Sequence, residues 1–422
     1  MIQKSLFLSL SFLFTCSFAY SQEIIPCLYD HAVHLSEMAN PGYKDHLYRT
    51  IESVADKSIN RNDDIYKIKV VFHVVYKNDN ENVPEEALNN QIKVLNECYR
   101  RQNSDTSNLR AIFEPVAADT GIEFEIDEIR RVKTTASFEP SLTGLPDEVK
   151  QTSKGGSDAK DPDKYLNIWV CQILPINIFG FSSPVLGYAY PPDNLPHWPE
   201  GSAASQKGFE GVVLDYRTVK DKSYTIPNFG SIPMEGRTAV HEVGHYLGLR
   251  HISGDGGLFG INCEGTDGVD DTPTQGKQSD FNCDKNQNTC GAGQSGDLPD
   301  MIENYMDYSA ESCQNTFTKG QTAIMRGVLQ TLRKGLLHTT NVDDLAADTT
   351  LEIVPNPANQ HFYIKGPDEY KHYKIVVFDM LGQQILNREV KNYTEVNVSE
   401  FNPGMYLVKI NDHQVKKLMI GR

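Results

Sequence analysis

Thr238 to His251 reads Thr-Ala-Val-His-Glu-Val-Gly-His-Tyr-Leu-Gly-Leu-Arg-His, and its histidines and glutamate are the residues best spaced to do chemistry. Positions four apart on a helix stand one above the other, so His241 and His245 offer imidazoles to one metal ion with Glu242 beside it. Gly248 has no Cβ and can take a left-handed conformation, which ends the helix and turns His251 back as a third ligand. Three neutral histidines leave one tetrahedral position of a zinc ion open. An open position marks a catalytic zinc, because water there becomes acidic enough to supply hydroxide near neutral pH. The bland reading is a chance match on an amphipathic helix, which Gly248 and His251 make the weaker one. Downstream, Glu303-Asn304-Tyr305-Met306-Asp307-Tyr308 places Met306 as a hydrophobic floor beneath the histidines and Tyr308 two residues on, where its hydroxyl can meet an oxyanion. Core filler is the alternative for both.

Such a site needs a scaffold, and the preceding chain reads as one. Ile65 to Tyr76 is rich in β-branched residues and reads as a sheet strand, with His73 a strand residue rather than a ligand. Pro84 to Arg101 spaces Ala87, Leu88, Ile92, Val94, Leu95 and Cys98 as the buried face of a helix backing the sheet. Further strands are expected at Ile122 to Arg131, Tyr165 to Ile173 and Gly211 to Tyr216. The long segments Thr134 to Asp163 and Leu174 to Ser205 are rich in Pro, Gly and Ser; Gly187-Tyr188-Ala189-Tyr190 within them is a candidate edge strand for an extended substrate, or a plain loop.

The 422 residues are too many for one ordinary core and imply two or three domains plus processed segments. A net charge of −16 argues against nucleic-acid binding, which needs a basic surface. Residues 1–21 read as a signal peptide: Lys4, the apolar run Leu6 to Phe18, then Ala19-Tyr20-Ser21. No other segment is apolar over the roughly 20 residues needed to span a bilayer. Residues 22–64 are polar, helical in tendency, and fit a propeptide. Cys27 is its candidate zinc-blocking thiolate, with Asp30 an alternative blocker and an ordinary unpaired Cys the plain reading. Release would need a cut within Asp56 to Asn62, which carries Lys57 and Arg61.

Past the histidines, Ser253 to Leu298 is crowded with Gly, Asp, Asn and Cys and has almost no apolar core, so it needs staples. Four of the seven cysteines outside the leader lie at Cys263, Cys283, Cys290 and Cys313; spacing alone allows three pairings, or a second zinc site that export disfavours. Cys27, Cys98 and Cys171 are left as free thiols. Asp267-Gly268-Val269-Asp270-Asp271-Thr272 has the oxygen-rich, flexible make-up of a calcium loop, with Asp267, Asp271 and Thr272 as candidate ligands, or of a solvated turn.

His241 to His251, then Asn304 to Ser309 and Cys313, resemble the pappalysin family of metzincins over roughly Tyr66 to Leu336, including Tyr165 to Val170 and Gly211 to Asp215. The resemblance implies an α+β metzincin-type catalytic domain: a mixed twisted sheet, a backing helix, an active-site helix and an irregular lower subdomain. It implies a zinc endopeptidase with bound calcium, zinc ligands at His241, His245 and His251, a general base at Glu242, and a Met-turn at Met306 with Tyr308. It also implies disulfides Cys263 to Cys290 and Cys283 to Cys313. Glu311 falls where metzincins wall the pocket for the residue after the cut bond, so its carboxylate would favour Arg or Lys; a surface Glu is the alternative.

From Val354-Pro355-Asn356-Pro357 a second unit begins, with alternating runs at Tyr373 to Phe378, Gln384 to Leu386, Glu395 to Val398 and Met405 to Ile410 that describe a small β-sandwich. Val354 to Pro357, Phe378 to Gln383 and Pro403 to Lys409 resemble the C-terminal sorting domain of type IX secretion, with an adhesive or carbohydrate-binding sandwich as alternative. The expected order is leader 1–21, propeptide 22–64, catalytic domain 65–340, linker 341–350 and sorting domain 351–422. The expected protein is a secreted or surface-bound zinc endopeptidase made as a latent zymogen, acting on proteins or peptides and partnered by the type IX machinery. The competing class is a non-catalytic surface or adhesion protein stabilised by its metal; Glu242 argues against it, since a structural site needs no base.

Overall fold

The computed structural model describes residues 26–58, 65–178, 181–192, 195, 207–219, 223–226, 230–254, 261–337, 352–365, 372–380, 382–391, 393–410 and 414–421. The expected leader 1–21, residues 59–64 of the expected propeptide and the expected linker 341–350 lie outside them. The chain divides into two units, Met1–His338 and Thr339–Arg422.

The first unit is built on a five-stranded sheet in the order Ile122–Lys133, Tyr66–Tyr76, Leu166–Cys171, Val212–Asp215, Gly187–Ala189. The first four strands are parallel, and Gly187–Ala189 closes one edge antiparallel to Val212–Asp215. Tyr66–Tyr76 is buried on both faces from Val70 to Val75, which is why its sequence is a near-continuous apolar run. His73 sits within it, fully buried, with Nδ1 2.8 Å from Ser157 Oγ, Nε2 2.9 Å from Asn167 Oδ1 and its ring stacked on Trp169.

The helix Glu85–Tyr99 covers the sheet through Leu88, Ile92, Val94, Leu95 and Cys98. It ends two residues short of Arg101, which takes a left-handed φ of 47°. The Tyr99 hydroxyl donates to Val240 O at 3.1 Å and Gln91 Nε2 to Gly236 O at 2.8 Å, tying this helix to the helix Arg237–Tyr246, all ten residues of which are buried. A later helix, Lys319–Gln330, starts at a capping box in which Thr318 and Gln321 satisfy each other's backbone N–H groups.

The polar N-terminal segment forms two helices, Tyr29–Ala39 and Tyr43–Ser58. Tyr43, Leu47, Ile51 and Val54 of the second join the main core beside Ile324 and Val328. Gly327 permits this contact: a Cβ there would stand 2.5 Å from Val54 O.

Between His251 and Thr316 the described chain contains no α-helix or β-strand and is held by cross-links. Cys263 pairs with Cys290 and Cys283 with Cys313. Glu303, almost fully buried, takes a bidentate contact from Arg110 with both distances 2.7 Å. Cys98 and Cys171 are free and buried.

The second unit has a three-stranded sheet, Glu352–Val354, His361–Lys365, Val396–Asn397, and a four-stranded one, Gln384–Lys391, His372–Phe378, Gly404–Ile410, Gln414–Ile420. Phe362, Ile364, Tyr373, Ile375, Val408 and Leu418 share one core. Glu352–Val354, His361–Lys365 and Gln414–Ile420 were not among the expected strands. In Gln414–Ile420, Lys416 and Lys417 break the alternation because this is a sheet edge, where lysines oppose pairing with another chain.

Candidate active site

The helix Arg237–Tyr246 begins at Gly236, whose φ of 82° only glycine adopts without strain. No local side chain caps it. A carboxylate from 73 residues away does so: Glu311 Oε1 accepts from Thr238 N at 2.6 Å and from Thr238 Oγ1 at 2.7 Å, and its Oε2 accepts from Glu235 N. Arg237 returns the contact by donating to Glu311 O at 2.6 Å, to Gln314 O and to Asp105 Oδ2 at 2.7 Å.

Gly248, at φ 95°, ends the helix and brings His251 back. His245 Nε2 then lies 3.0 Å from His241 Nε2 and 3.1 Å from His251 Nε2. The Nδ1 atoms set the tautomers. His241 Nδ1 is 2.7 Å from Tyr305 O and His245 Nδ1 is 2.8 Å from Leu249 O, and since a carbonyl only accepts, these Nδ1 atoms carry the protons. Burial, then the neighbouring histidine, holds His241 down to about 3 and His245 well below its ordinary value, so both are neutral. Bare Nε2 lone pairs this close repel one another unless a cation stands among them. The donor set therefore fits a zinc ion.

Cys27 Sγ completes the cluster, all four ligand atoms lying within 4.8 Å of one another. Asp30 does not join it. Its Oδ2 lies on the far side of His251, 3.0 Å from Nδ1. Tyr29 stacks on His245 with centroids 4.0 Å apart. Neither Tyr29 nor this placement of Asp30 is legible in the sequence, whose only signal is their adjacency to Cys27.

Glu242 is buried beside the histidines. Its Oε1 has no hydrogen-bond partner among the described residues, and its Oε2 is 3.5 Å from Cys27 Sγ. Burial pushes its carboxyl up to about 8, while burial and then the Glu242 charge push the Cys27 thiol well up. The Tyr308 hydroxyl stands 2.9 Å from His251 Nε2. Beneath the histidines lies Met306; a Cβ on Gly244 would come within 2.5 Å of its sulfur.

The edge strand is occupied. Pro26 O accepts from Leu186 N at 2.7 Å and Gly187 N at 3.2 Å, Leu28 N donates to Gly187 O at 3.3 Å, and Cys27 pairs with Gly187 in parallel. The sequence marks Gly187 only as part of that strand; its bareness has a purpose, since a Cβ would meet Glu242 Oε1 at 3.0 Å. The adjoining pocket is lined by Leu186, Met234, Thr238, Phe281, Tyr308 and Glu311 among others. Glu311 is buried there with its carboxylate engaged on the helix, and burial raises its pKa.

In the lower segment, Asp267, buried, has both carboxylate oxygens 3.0 Å from Thr272 Oγ1, which is itself 2.9 Å from Val269 O. Burial lifts Asp267 to about 7. Asp271 Oδ2 accepts from Gly320 N at 2.9 Å, and its Oδ1 is buried with no hydrogen-bond partner among the described residues.

A helix carrying two histidines, a third beyond a glycine turn, a buried carboxyl beside them and a methionine floor define a metzincin-type metalloendopeptidase. Comparison with known proteins carries this further. Residues 151–330 match the pregnancy-associated plasma protein-A family, and residues 352–421 match the secretion system C-terminal sorting domain. The chain is 31% identical to an extracellular metalloprotease of Arthroderma benhamiae over 64% of its own length and 74% of the relative's, and 30% identical to extracellular metalloprotease 1 of Coccidioides posadasii over 64% and 79%. Among solved structures it is similar to mirolysin (33% identity, TM-score 0.55, 66% of this chain and 98% of that one) and to a Tannerella forsythia promirolysin mutant (30%, 0.61, 74% and 97%). The chain belongs to the pappalysin family of metzincin metalloproteases and carries a type IX secretion sorting tail. It is a metalloendopeptidase bound for the cell surface or exterior, and the family implies zinc. Among the described residues no helix is long and apolar enough to cross a membrane.

Proposed function

We propose that this endopeptidase is made as a latent zymogen that cuts before Arg or Lys, with His241, His245 and His251 as zinc ligands. The observation that carries the reading is the convergence of the three Nε2 atoms with Cys27 Sγ, beside a Glu242 carboxyl that has an unpartnered oxygen. Zinc held there would supply Lewis-acid polarisation of the scissile carbonyl and an acidified water. Glu242 accepts the proton from the attacking water and delivers it to the leaving amine, a role its unpartnered Oε1 beside the histidines fits. Tyr308 donates its hydroxyl to the oxyanion, and the edge strand Gly187–Ala189 aligns the substrate backbone.

Latency belongs to Cys27 rather than Asp30, because only the thiol reaches the metal cluster. The pro-segment also fills the strand edge that a substrate would use. We assign 1–21 to the leader, 22–64 to the pro-segment, 65–340 to the catalytic domain, 341–350 to the linker and 351–422 to the sorting domain. Glu311 supports the Arg or Lys preference: its carboxylate is part of the pocket lining, and the donors Thr238 N, Thr238 Oγ1 and Glu235 N that hold it are neutral. The same preference would let the enzyme cut before Lys57 or Arg61 and release its own pro-segment. Asp267, Asp271, Thr272 and the Val269 carbonyl have the oxygen chemistry for calcium, with Asp271 Oδ2 also anchoring the loop to the helix Lys319–Gln330 and its Oδ1 left without a hydrogen-bond partner among the described residues.

The test is a cleavage profile. Protein freed of its pro-segment and its Glu242→Ala counterpart are incubated with a complex peptide mixture, with and without a zinc chelator, and the products are read by mass spectrometry. Cuts ahead of Arg and Lys that vanish with the substitution and with chelator are expected. Cuts that survive Glu242→Ala, or no bias after the bond, would overturn the assignments of Glu242 and Glu311 respectively.

A further inference from the structure

Each imidazole of the cluster has its outer nitrogen, Nδ1, tied to an acceptor, and the three acceptors differ in origin. For His241 it is Tyr305 O, and for His245 it is Leu249 O; both are backbone groups of the catalytic fold. For His251 it is the Asp30 carboxylate, 221 residues away in the pro-segment. Among the described residues the Asp30 carboxylate is the partner of His251 Nδ1. Tyr29, next to Asp30, lies flat against His245 at an interplanar angle of 5° and edge-on to His251 at 90°, so the ring that walls the cluster also comes from the pro-segment.

From this we infer that Asp30 is a positioning residue of the metal centre: the pro-segment that blocks the site also orients its third ligand, and the zymogen holds zinc more firmly than the mature enzyme for a reason separate from Cys27. An acceptor on Nδ1 keeps the proton there, directs the Nε2 lone pair inward, fixes the ring plane and raises the basicity of the ligand; losing such a partner commonly costs about 10- to 100-fold in metal affinity. A carboxylate does this more strongly than a carbonyl, because its charge also favours the positive field that a bound cation imposes on the imidazole. When the pro-segment leaves, His241 and His245 keep their carbonyls, which belong to the turn around Met306 and to the turn that follows the histidine helix. His251 loses its partner. The inference rests on the zinc-site reading above.

The test uses the full pro-protein carrying Glu242→Ala, so that it cannot process itself, loaded with zinc and mixed with excess colour-forming chelator; the readout is the rate of zinc release, with metal content measured beforehand. Asp30→Ala is expected to release zinc about tenfold faster or more. Asp30→Asn, whose amide oxygen still accepts the Nδ1 proton, should fall between the two. The comparison is repeated in Cys27→Ala proteins, where no thiol contributes. If Asp30→Ala still accelerates release there, Asp30 acts through His251. If the acceleration disappears with Cys27, or release is unchanged within twofold in both backgrounds, the inference is overturned. A parent protein that takes up no zinc would instead defeat the underlying reading of the site.

Discussion

Gly244 and Met306 are in mutual contact across the floor of the site, so close that a single methyl on the glycine would stand 2.5 Å from the methionine sulfur. The helix must be bare on that face for the turn to reach the histidines. Gly244→Ala is therefore expected to destabilise the catalytic unit by about 1–3 kcal/mol, the usual cost of overpacking, and to lower kcat/KM by displacing the Met-turn. Gly208→Ala, where nothing lies within 4 Å, is the control and should change neither thermal unfolding nor activity.

Gly327 plays the corresponding part for the pro-segment. Its missing Cβ admits Val54 O, so Gly327→Ala should loosen the docking of the helix Tyr43–Ser58 and leave the mature enzyme intact. The expected result is a pro-form that matures faster, followed by electrophoresis over time, and a mature kcat/KM unchanged within about twofold. Equal maturation rates would mean that the helix contact does not hold the segment.

Glu311 serves both the helix terminus and the pocket, and the two duties separate by substitution. Glu311→Gln keeps acceptor capacity but removes the charge. It should lower kcat/KM for peptides with Arg or Lys after the cut by about tenfold or more relative to apolar residues there. Glu311→Ala should in addition lower stability by about 0.5–2 kcal/mol, the cost of a lost helix cap. Unfolding midpoints of the two variants distinguish these effects.

Calcium should raise the unfolding temperature of the mature protein through the loop Asp267 to Thr272, since a ligand bound only to the folded state stabilises it by about 2.7 kcal/mol at a hundred times its Kd. Asp267→Asn should abolish that shift. A shift of equal size in the variant would place the ion elsewhere.

His73 gives a pH signature away from the metal. Burial holds it at about 4, against 6.5 when free, so the unfolded chain binds the extra proton between those values. Its contribution to stability is thus full above pH 6.5 and is lost as pH falls toward 4, amounting to at most about 3 kcal/mol. The carboxyl of Asp307, raised by burial to about 6, runs the other way, its contribution present below its unfolded value and lost as pH rises. Comparing unfolding midpoints of the parent and His73→Gln from pH 7 to 4 isolates the histidine: the variant should lose less stability than the parent.

The convergence of His241, Glu242, His245 and His251 was legible because it is local: helical periodicity puts residues four apart on one face, and a glycine turn returns a third histidine within a few residues. Strand Tyr66–Tyr76 and helix Glu85–Tyr99 were legible for the same reason, since their burial patterns repeat along the chain. The edge strand Gln414–Ile420 was missed where lysines interrupt that repeat.

What tertiary structure alone decided are the long-range pairings: Cys27 rather than Asp30 on the metal side of the histidines, Asp30 behind His251, Glu311 on the N-terminus of the histidine helix, and Asp271 on Gly320. None of these partners is within reach along the chain. They meet because burial of Tyr43, Leu47, Ile51 and Val54, and the staples at Cys263–Cys290 and Cys283–Cys313, bring distant segments together, and each buried polar group then takes whichever partner that packing delivers. Local spacing therefore names the reaction, while the global packing of apolar surface determines how the histidine helix is capped and which distant groups meet the histidines.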